Sequence, residues 1–387
     1  MLMNRVFRYE LPTLIEFGIG ALQNLASRVE ELGGTKVLVV GDPGVSQAGL
    51  LDRVEDVLER ASIQYVEFTN IQSDPDIESV DEGIRLAKEE SCDIVVGVGG
   101  GSALDTAKAI GLMLGNSGHI TDYVGLNKVP NRGAPVIAMP TAAGTGSEVT
   151  VWSVLSNRAA KEKVSIGSVF NCPALALLDP ELTVSLPPTV TAATGMDALT
   201  HAIESYVNKA TQPISECLAR QAIDMIAKNL RLAVVQGDNL TARYNMSLAS
   251  LIAAMAFNST RLGLSHALAI PLGAHFHIPH GVVNAILLPE VMQFNVIGNI
   301  DKYQDIGRIF DGSPNLSARE TAEYSAVAVR RLKEDVGIRQ SLSDYGVRES
   351  DLKYIAEEAM LSGNVPVNPR KPTIEDLMDI CRAAMEQ

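Results

Sequence analysis

Short runs of β-branched and apolar residues alternate with amphipathic stretches through the first half of the chain. The predicted strands are Lys36–Gly41, Gln64–Phe68, Asp93–Val98 and Pro135–Met139, and the predicted helices are Gln47–Ser62, Ile77–Glu90 and Ser102–Leu114. This β-α-β rhythm predicts a parallel sheet with helices on its faces. Ligands of such sheets bind at the carboxyl ends of the strands.

From about Leu186 onwards the rhythm becomes helical. Apolar residues recur at three- and four-residue spacing in the stretches Thr189–Val207, Ile214–Leu232, Leu240–Phe257 and Ala318–Val336. Pro187 and Pro188 mark a domain boundary. We therefore expect an α/β domain at residues 1–184, an all-helical domain at 185–387, and an active site in the cleft between them.

The net charge of −14 argues against a nucleic-acid-binding protein, because contacts to phosphates need a surplus of Lys and Arg. The N-terminal residues lack the apolar segment of a signal peptide, and no run approaches the roughly 18 apolar residues of a membrane helix. The four scattered cysteines form no CxxC pair. We expect free thiols and a cytoplasmic location.

A glycine-rich loop, 97–102 (GVGGGS), joins the third predicted strand to a helix. Glycines let the backbone approach a pyrophosphate, Ser102 is the predicted N-cap, and the helix N-terminus offers free amides to the phosphate. A tight turn without any ligand is the alternative interpretation. The loop follows the third strand and has Ser102 at the last position of a GxGxxG pattern, so it is not a standard Rossmann fingerprint.

A second loop, 140–148 (PTAAGTGSE), follows the fourth predicted strand. Small hydroxyl residues between glycines suit phosphate and ribose oxygens, and two such loops in one sheet indicate a dinucleotide. Asp42 follows the first predicted strand, Lys36–Gly41. Its carboxylate can accept hydrogen bonds from a ribose and would repel a 2′-phosphate, which favours NAD over NADP; a plain turn before Pro43 explains it equally well.

Histidine is scarce, with six in the chain, and four of them lie between His266 and His280. Asp197 and His201 are four residues apart on a predicted helix and therefore project from one face. Together with His266 and His280 they offer one carboxylate and three imidazoles, a set that suits Fe(II) or Zn(II). A metal with an open position lowers the pKa of an alcohol that binds there.

Each of these residues also has a plainer interpretation. The Asp197/His201 pair can be an ordinary hydrogen-bonded pair, His266 a core histidine, and His275 and His277 surface residues. Taken with the two nucleotide loops, the joint interpretation as a metal centre is favoured.

The chain resembles the iron-containing (group III) alcohol dehydrogenase family over nearly its whole length. The matching segments are 99–108 (GGGSALDTAK), 140–148 (PTAAGTGSE), 195–204 (GMDALTHAIE), 266–268 (HAL), 279–281 (PHG) and 368–370 (NPR). The resemblance implies a Rossmann-like N-terminal domain and an all-α C-terminal domain, the architecture of dehydroquinate synthase. It also implies assembly as homodimers or larger oligomers.

The resemblance implies hydride transfer between NAD(H) and a small alcohol, diol or aldehyde, with a divalent metal, often Fe(II), held by Asp197, His201, His266 and His280. It places cofactor contacts at Asp42, Gly99, Gly100, Ser102, Asp105, Thr141, Thr145, Lys163, Thr150 and Leu178. Phe257 becomes an expected wall of the substrate pocket.

Two positions depart from the family pattern. Many members have a proton-relaying histidine four residues after the one at His266, where this chain has Ile270. We therefore expect the relay to run through His277, His275 or water. Relatives tend to have a small or apolar residue where this chain has Arg261. Its guanidinium can clamp an acidic substrate group, or it can form a salt bridge.

Other functions share this architecture. A dehydroquinate-synthase-like lyase, a transhydrogenase or dehydrogenase acting on hydroxy acids or acidic aldehydes, and a glycerol-dehydrogenase-like enzyme are the enzymatic alternatives. The non-enzymatic alternative is a silent binding protein that has kept the fold, and the presence of all four metal-ligand candidates and both loops argues against it.

Overall fold

The computed structural model describes residues 6–71, 75–158, 162–311 and 315–386. The chain forms two compact units. One is Leu11–Leu186, and the other is Pro187–Gln387 together with Met1–Glu10. The α/β character of the first and the helical character of the second confirm the expected fold class.

A parallel six-stranded sheet forms the centre of the first unit, in the strand order β1-β9-β6-β4-β2-β3. Its strands are β1 (Leu14–Phe17), β2 (Lys36–Gly41), β3 (Gln64–Phe68), β4 (Ile94–Gly99), β6 (Val136–Pro140) and β9 (Leu175–Leu178). The helices of this unit are α1 (Leu25–Glu31), α2 (Pro43–Gln47), α3 (Leu50–Arg60), α4 (Ile77–Glu89) and α5 (Gly101–Leu114). The strand order reverses between β2 and β4, and such a reversal opens a crevice for a ligand at the carboxyl ends of the two strands.

The central strands are apolar on both faces because both faces are covered. In β2, Val37 and Val39 belong to the core on one side of the sheet, and Leu38 and Val40 to the core on the other. This explains why the predicted strands at 36–41 and 93–98 continue as apolar runs after their first, charged residue.

The predicted helix 47–62 corresponds to α3, which begins three residues later, at Leu50. Gly49 has a positive φ of 69° and separates α2 from α3. Asp42 begins α2, since its side chain accepts hydrogen bonds from the backbone N–H groups of Gly44 and Val45.

The segment Trp152–Asn157, where no strand was predicted, is strand β7. It pairs antiparallel with β8 (Glu162–Gly167), which in turn pairs with the short β5 (Gly125–Leu126). The polarity of β7 conceals it, because Ser153 is buried whereas Val154 is exposed. The buried Ser153 hydroxyl accepts a hydrogen bond from Asn171.

The described residues of the second unit form helices joined by loops, and no strands. Its helices are α6 (Pro188–Val207), α7 (Pro213–Val235), α8 (Leu240–Thr260), α9 (Leu264–Phe276), α10 (His280–Asn295), α11 (Ile300–Ile309), α12 (Ala318–Asp335), α13 (Leu352–Ala359) and α14 (Ile374–Met385). The four helices predicted from spacing correspond to α6, α7, α8 and α12.

Helices α9 and α10 lacked a sequence prediction because they are apolar around most of their circumference and contain Pro271 and Pro289. The span His280–Gly298 is long and apolar enough to cross a membrane by length and composition, and most of it is buried inside the protein. It packs against α6, α9, α12 and α14 as a core helix.

The motif Asn368-Pro369-Arg370 attaches the last part of the chain to the end of α10. Asn295 and Asn368 are both buried and exchange two amide hydrogen bonds, of 2.9 and 2.7 Å. Arg370 lies over the Phe294 ring, 3.9 Å from its centroid, and donates to the Phe294 carbonyl. The structure thus gives this motif a role in packing.

We predict that Asn368→Ala lowers the free energy of unfolding by about 1–3 kcal/mol, because it leaves the buried Asn295 amide without its partner. Urea denaturation would measure the effect. Gln340→Ala, at an exposed position of the same unit, is the control. Equal midpoints for the two variants would contradict the prediction.

Candidate metal centre and cofactor loops

Three helices carry the four predicted metal ligands. Asp197 and His201 are on α6, which begins with Pro188 at its first position, where a missing N–H costs nothing. His266 lies in the first turn of α9, and His280 is the first residue of α10. Because α10 packs against both α6 and α9, the folding of this unit brings the four side chains together.

One carboxylate oxygen is at the centre of this cluster. Asp197 Oδ1 lies 4.0, 3.7 and 3.6 Å from the Nε2 atoms of His201, His266 and His280. Ligands 2.0–2.2 Å from a tetrahedral ion are themselves roughly 3.3–3.6 Å apart, so the spacing is close to that of a metal site. Asp197, His201 and His266 are buried, and the side chain of His280 is 50% exposed. The donor set therefore fits a divalent ion with one side open.

The charges of the cluster are strongly coupled. Burial alone would raise the pKa of Asp197, but the neighbouring imidazoles of His201, His280 and His266 hold it far below its usual range. Burial lowers the pKa of His201 to about 4, against the attraction of Asp197. Burial acts in the same direction on His266, yet the nearby Asp197 carboxylate and the hydrogen bond to Glu204 raise its pKa to about 9.

Asn284 lies against the cluster and was not predicted. Its Nδ2 is 2.8 Å from Asp197 Oδ1, 3.2 Å from His266 Nε2 and 3.1 Å from His280 Nε2. Its own Oδ1 is buried without a hydrogen-bond partner in the described chain. A polar group of this kind is expected near an ion, not in an apolar core.

Glu204 was also missed, although the matching segment 195–204 ends on it. Its buried carboxylate accepts a 2.7 Å hydrogen bond from His266 Nδ1. The spacing contained the signal: Glu204 follows Asp197 by seven residues and His201 by three, on the same face of α6, and Asn284 follows His280 by four on α10.

The two predicted substrate residues lie at the end of α8. The Phe257 ring is 4.5 Å from the His201 ring, centroid to centroid. Arg261 is exposed, has a positive φ of 66° and lies against Gly363. Among the described residues its guanidinium forms no ion pair, so the alternative of a salt bridge is not observed there.

The two histidines proposed as a proton relay are at the other end of α9. His275 pairs with Glu358 at 2.9 Å and is exposed. It follows His266 by nine residues, about 13 Å along a helix axis. His277 is exposed and ends the helix with a φ of 54°.

In the other unit, the two glycine-containing loops lie side by side. The Thr141 N–H donates to the Gly99 carbonyl at 3.0 Å, and Gly101 is in contact with Thr145. Gly99 has a φ of 151°, which L side chains rarely adopt, and a Cβ there would lie 2.6 Å from that of Ala103. Both loops follow carboxyl ends of neighbouring strands, β4 and β6.

The predicted N-cap at Ser102 was wrong. Helix α5 begins at Gly101, its N-cap is Gly100, and no side chain of the described residues caps it. The strand-to-helix turn is therefore one residue shorter than expected. A helix N-terminus that no described side chain caps is suited to anion binding.

The two carboxylate oxygens of Asp42 have different surroundings. Its Oδ1 caps α2, at 2.8 and 3.0 Å from the amides of Gly44 and Val45. Its Oδ2 lies beside Gly99, 3.3 Å from where a Cβ would be. Asp42 thus stands at the reversal of strand order between β2 and β4, next to the glycine-rich loop.

Asp105 and Lys108 connect α5 to the second loop. Asp105 Oδ2 accepts from the Val154 N–H at 2.9 Å, and its Oδ1 accepts from the Ser147 hydroxyl. The buried Lys108 ammonium donates to the Ser147 carbonyl at 3.0 Å and to Thr150 Oγ1 at 3.4 Å. These bonds fix the loop that carries Thr141 and Thr145.

The remaining predicted cofactor residues are in different environments. Thr150 and Leu178 are buried, and Leu178 is the last residue of β9. Lys163 is exposed on β8, opposite Ser156 of β7.

Two family models together cover most of the chain. Residues 12–180 match the iron-containing alcohol dehydrogenases, and residues 191–385 match the C-terminal part of the Fe-containing alcohol dehydrogenase family. The chain belongs to the iron-containing alcohol dehydrogenase family. The resemblance found in the sequence motifs is thereby confirmed.

Relatives of known activity are similar over almost their full length. The chain is 42% identical over 383 residues to the 1,3-propanediol dehydrogenase of Citrobacter freundii, which covers 98% of this chain and 99% of the relative. It is 36% identical over 376 residues to the NAD-dependent methanol dehydrogenase of Bacillus methanolicus, covering 97% and 99%. The crystal structure of a 1,3-propanediol oxidoreductase has a TM-score of 0.96 at 42% identity, covering 98% of this chain and 100% of that one.

The protein is therefore an oxidoreductase of the iron-type alcohol dehydrogenases. The similarity to propanediol and methanol dehydrogenases supports alcohols or diols as its substrates. A lyase, a hydroxyacid transhydrogenase and a silent binding protein are not favoured.

Glu148 allows a test of how the second loop responds to pH. It is buried at the end of that loop, and burial raises its pKa to about 7 against the opposing charge of Lys108. The folded state thus binds more protons than the unfolded state between the ordinary pKa of 4.5 and about 7. The contribution of Glu148 to the free energy of unfolding is fully present below pH 4.5 and is lost as the pH rises through 7.

In the wild type, the free energy of unfolding should fall by on the order of 3 kcal/mol between pH 4.5 and about 7 because of Glu148. We predict that Glu148→Gln removes this fall. Thermal or urea unfolding of the α/β unit at a series of pH values would measure it. Glu30→Gln, at an exposed position of α1, should retain the wild-type slope. A Glu148→Gln profile parallel to the wild type would contradict the prediction.

Proposed function

We propose that the protein interconverts a small primary alcohol or diol and its aldehyde by NAD(H)-dependent hydride transfer at a metal held by Asp197, His201, His266 and His280. One observation carries the proposal: a buried carboxylate oxygen lies within 4.0 Å of three imidazole nitrogens from three helices. Fe(II) is the proposed ion, with Zn(II) as the alternative, since the donor set suits both.

A divalent ion at this position, when bound, polarises the substrate oxygen and lowers the pKa of an alcohol. The chain's own residues supply the rest. Asp197 contributes the negative charge of the site. Its carboxylate is buried together with His201 and His266, away from water, where charges interact strongly. The half-exposed His280 lies on the side from which solvent and substrate reach the cluster.

We assign cofactor binding to residues 1–184 and metal and substrate binding to residues 185–387. The proposed cofactor contacts are Asp42, Gly99, Gly100, Ser102, Asp105, Thr141, Thr145, Thr150, Lys163 and Leu178. The N-terminus of α5, which no described side chain caps, supports binding of the pyrophosphate. The NAD dependence that the name of the methanol dehydrogenase states supports the choice of NAD.

The substrate side of the site is proposed at Phe257 and Arg261. The contact of Phe257 with the His201 ring supports it. We propose that protons leave through His277, with His275 or water as the alternative, because Ile270 cannot carry a proton.

We further propose that the enzyme acts in the cytoplasm as a homodimer or larger homo-oligomer, without nucleic-acid or membrane partners. The four cysteines are all free thiols, as expected in a reducing compartment. The family resemblance supports this assembly.

We predict that chelated, metal-free protein forms no NADH from a panel of alcohols, diols and hydroxy acids, and that anaerobic reloading with Fe(II) or Zn(II) restores the activity. His280→Ala should lose metal affinity by more than about 100-fold, since it removes a ligand directly. Its exposure makes misfolding of that variant unexpected. Metal content and NADH absorbance measure the two effects.

The control for this experiment is His119→Ala. His119 is exposed and pairs with Asp81 in the other unit, so its loss should leave metal binding unchanged. Full metal binding by His280→Ala, or NADH formation by metal-free protein, would disprove the proposed centre.

We predict that Asp42→Asn raises the use of NADP relative to NAD by about 10- to 1,000-fold, because it removes a negative charge facing the 2′-phosphate. Asparagine can still cap α2, whereas Asp42→Gly removes both the charge and the cap. A comparison of kcat/KM for the two cofactors separates the effects. If Asp42→Asn and Asp42→Gly both keep the wild-type preference, Asp42 only shapes the turn.

A further inference from the structure

Glu204 connects α6 to the beginning of α9 through one buried carboxylate. Its Oε2 accepts from the Gly263 N–H at 2.8 Å and from His266 Nδ1 at 2.7 Å. Its Oε1 accepts from the Ser265 N–H at 2.7 Å. All of these groups are buried, so the three bonds are shielded from competing water.

This arrangement determines which nitrogen of His266 carries a proton. A carboxylate that already accepts two backbone N–H groups acts as an acceptor towards the imidazole as well, which places the proton on Nδ1. Nε2 of His266 faces the cluster around Asp197, 3.7 Å away, and is the nitrogen that would be left to bind a metal there. A histidine that binds a metal through Nε2 needs this tautomer.

The same carboxylate caps α9. Gly263 is the N-cap of that helix and has no side chain to satisfy the first amides. Glu204 takes that place from another helix, where its negative charge also interacts favourably with the helix dipole. A Cβ at Gly263 would lie 2.8 Å from Glu204 Oε1, so a side chain at this position would displace the carboxylate.

We propose that Glu204 is a positioning residue of the metal centre: it fixes the tautomer and orientation of His266 and, by capping α9, the position of the helix that carries it. The inference rests on the proposed metal centre. It assigns Glu204 no contact with substrate, cofactor or metal.

The test uses full-length protein, stripped of metal and titrated anaerobically with Co(II). Glu204→Gln places an amide N–H against either the Ser265 N–H or His266 Nδ1. We expect Co(II) affinity, measured by chelator competition, to fall about 10- to 100-fold. The visible absorption bands of bound Co(II) should also shift, because the ligand field reports the orientation of His266.

Ser205→Ala is the matched control. Ser205 is the next residue of α6, is buried, and shares a 3.0 Å hydrogen bond with Thr260. This variant loses a buried hydrogen bond at the same helix level without touching His266. It should keep the wild-type Co(II) affinity and spectrum even if it unfolds at a lower temperature.

Each result has a separate meaning. If Glu204→Gln binds Co(II) with wild-type affinity and spectrum, or if Ser205→Ala is weakened equally, Glu204 has only a structural role and the inference is wrong. If the wild-type protein itself binds no Co(II), the proposed metal centre fails first. Should Glu204→Gln not fold, Glu204→Asp retains the charge but is one methylene shorter. The same loss of affinity and shifted spectrum are then expected, and unchanged values overturn the inference.

Discussion

A buried carboxylate among imidazoles is the constraint on which the helical unit depends. An ionised side chain without partners in a protein interior costs several kcal/mol, and Asp197 is almost completely buried. The chain surrounds it with His201, His266 and His280 and with the amide of Asn284. Because these partners come from α6, α9 and α10, the charge can be stabilised only when the three helices are packed together.

That constraint explains why the helices around the cluster are so apolar. Helices α9 and α10 are buried on nearly all sides, which keeps water from the inner side of the cluster. Charges in such surroundings interact much more strongly than on a surface. The half-exposed His280 is the exception, and it gives the cluster one open side.

Much of the fold and site could be predicted because the relevant residues repeat with a structural period. The apolar runs at 36–41 and 93–98 and the pair Asp197/His201 are examples, since strands and helices place their residues at fixed intervals. What escaped prediction lacked such a period. Helix α9 has apolar residues on all faces, strand β7 buries Ser153 and exposes Val154, and the cap of α9 comes from Glu204, some 60 residues earlier in the chain.

Partners that are distant in sequence also determine how the buried carboxylates differ. Asp197 faces imidazoles, and their charges and hydrogen bonds outweigh the burial that would otherwise raise its pKa. Glu204 faces two backbone amides and His266 Nδ1. For Glu148 the effect of burial exceeds the opposing effects of the Lys108 charge and of its own backbone N–H, and its pKa rises to about 7.

These residues share one functional group and comparable burial, so the difference between them lies in the donors that tertiary packing supplies. Spacing along the sequence can show which carboxylates lie on a buried face of a helix. It cannot show which donors they meet, because the donors belong to other elements. The chemistry of each carboxylate in this protein is therefore a property of the packed helices and loops, and the residues that orient a ligand, such as Glu204, become visible only when those contacts are known.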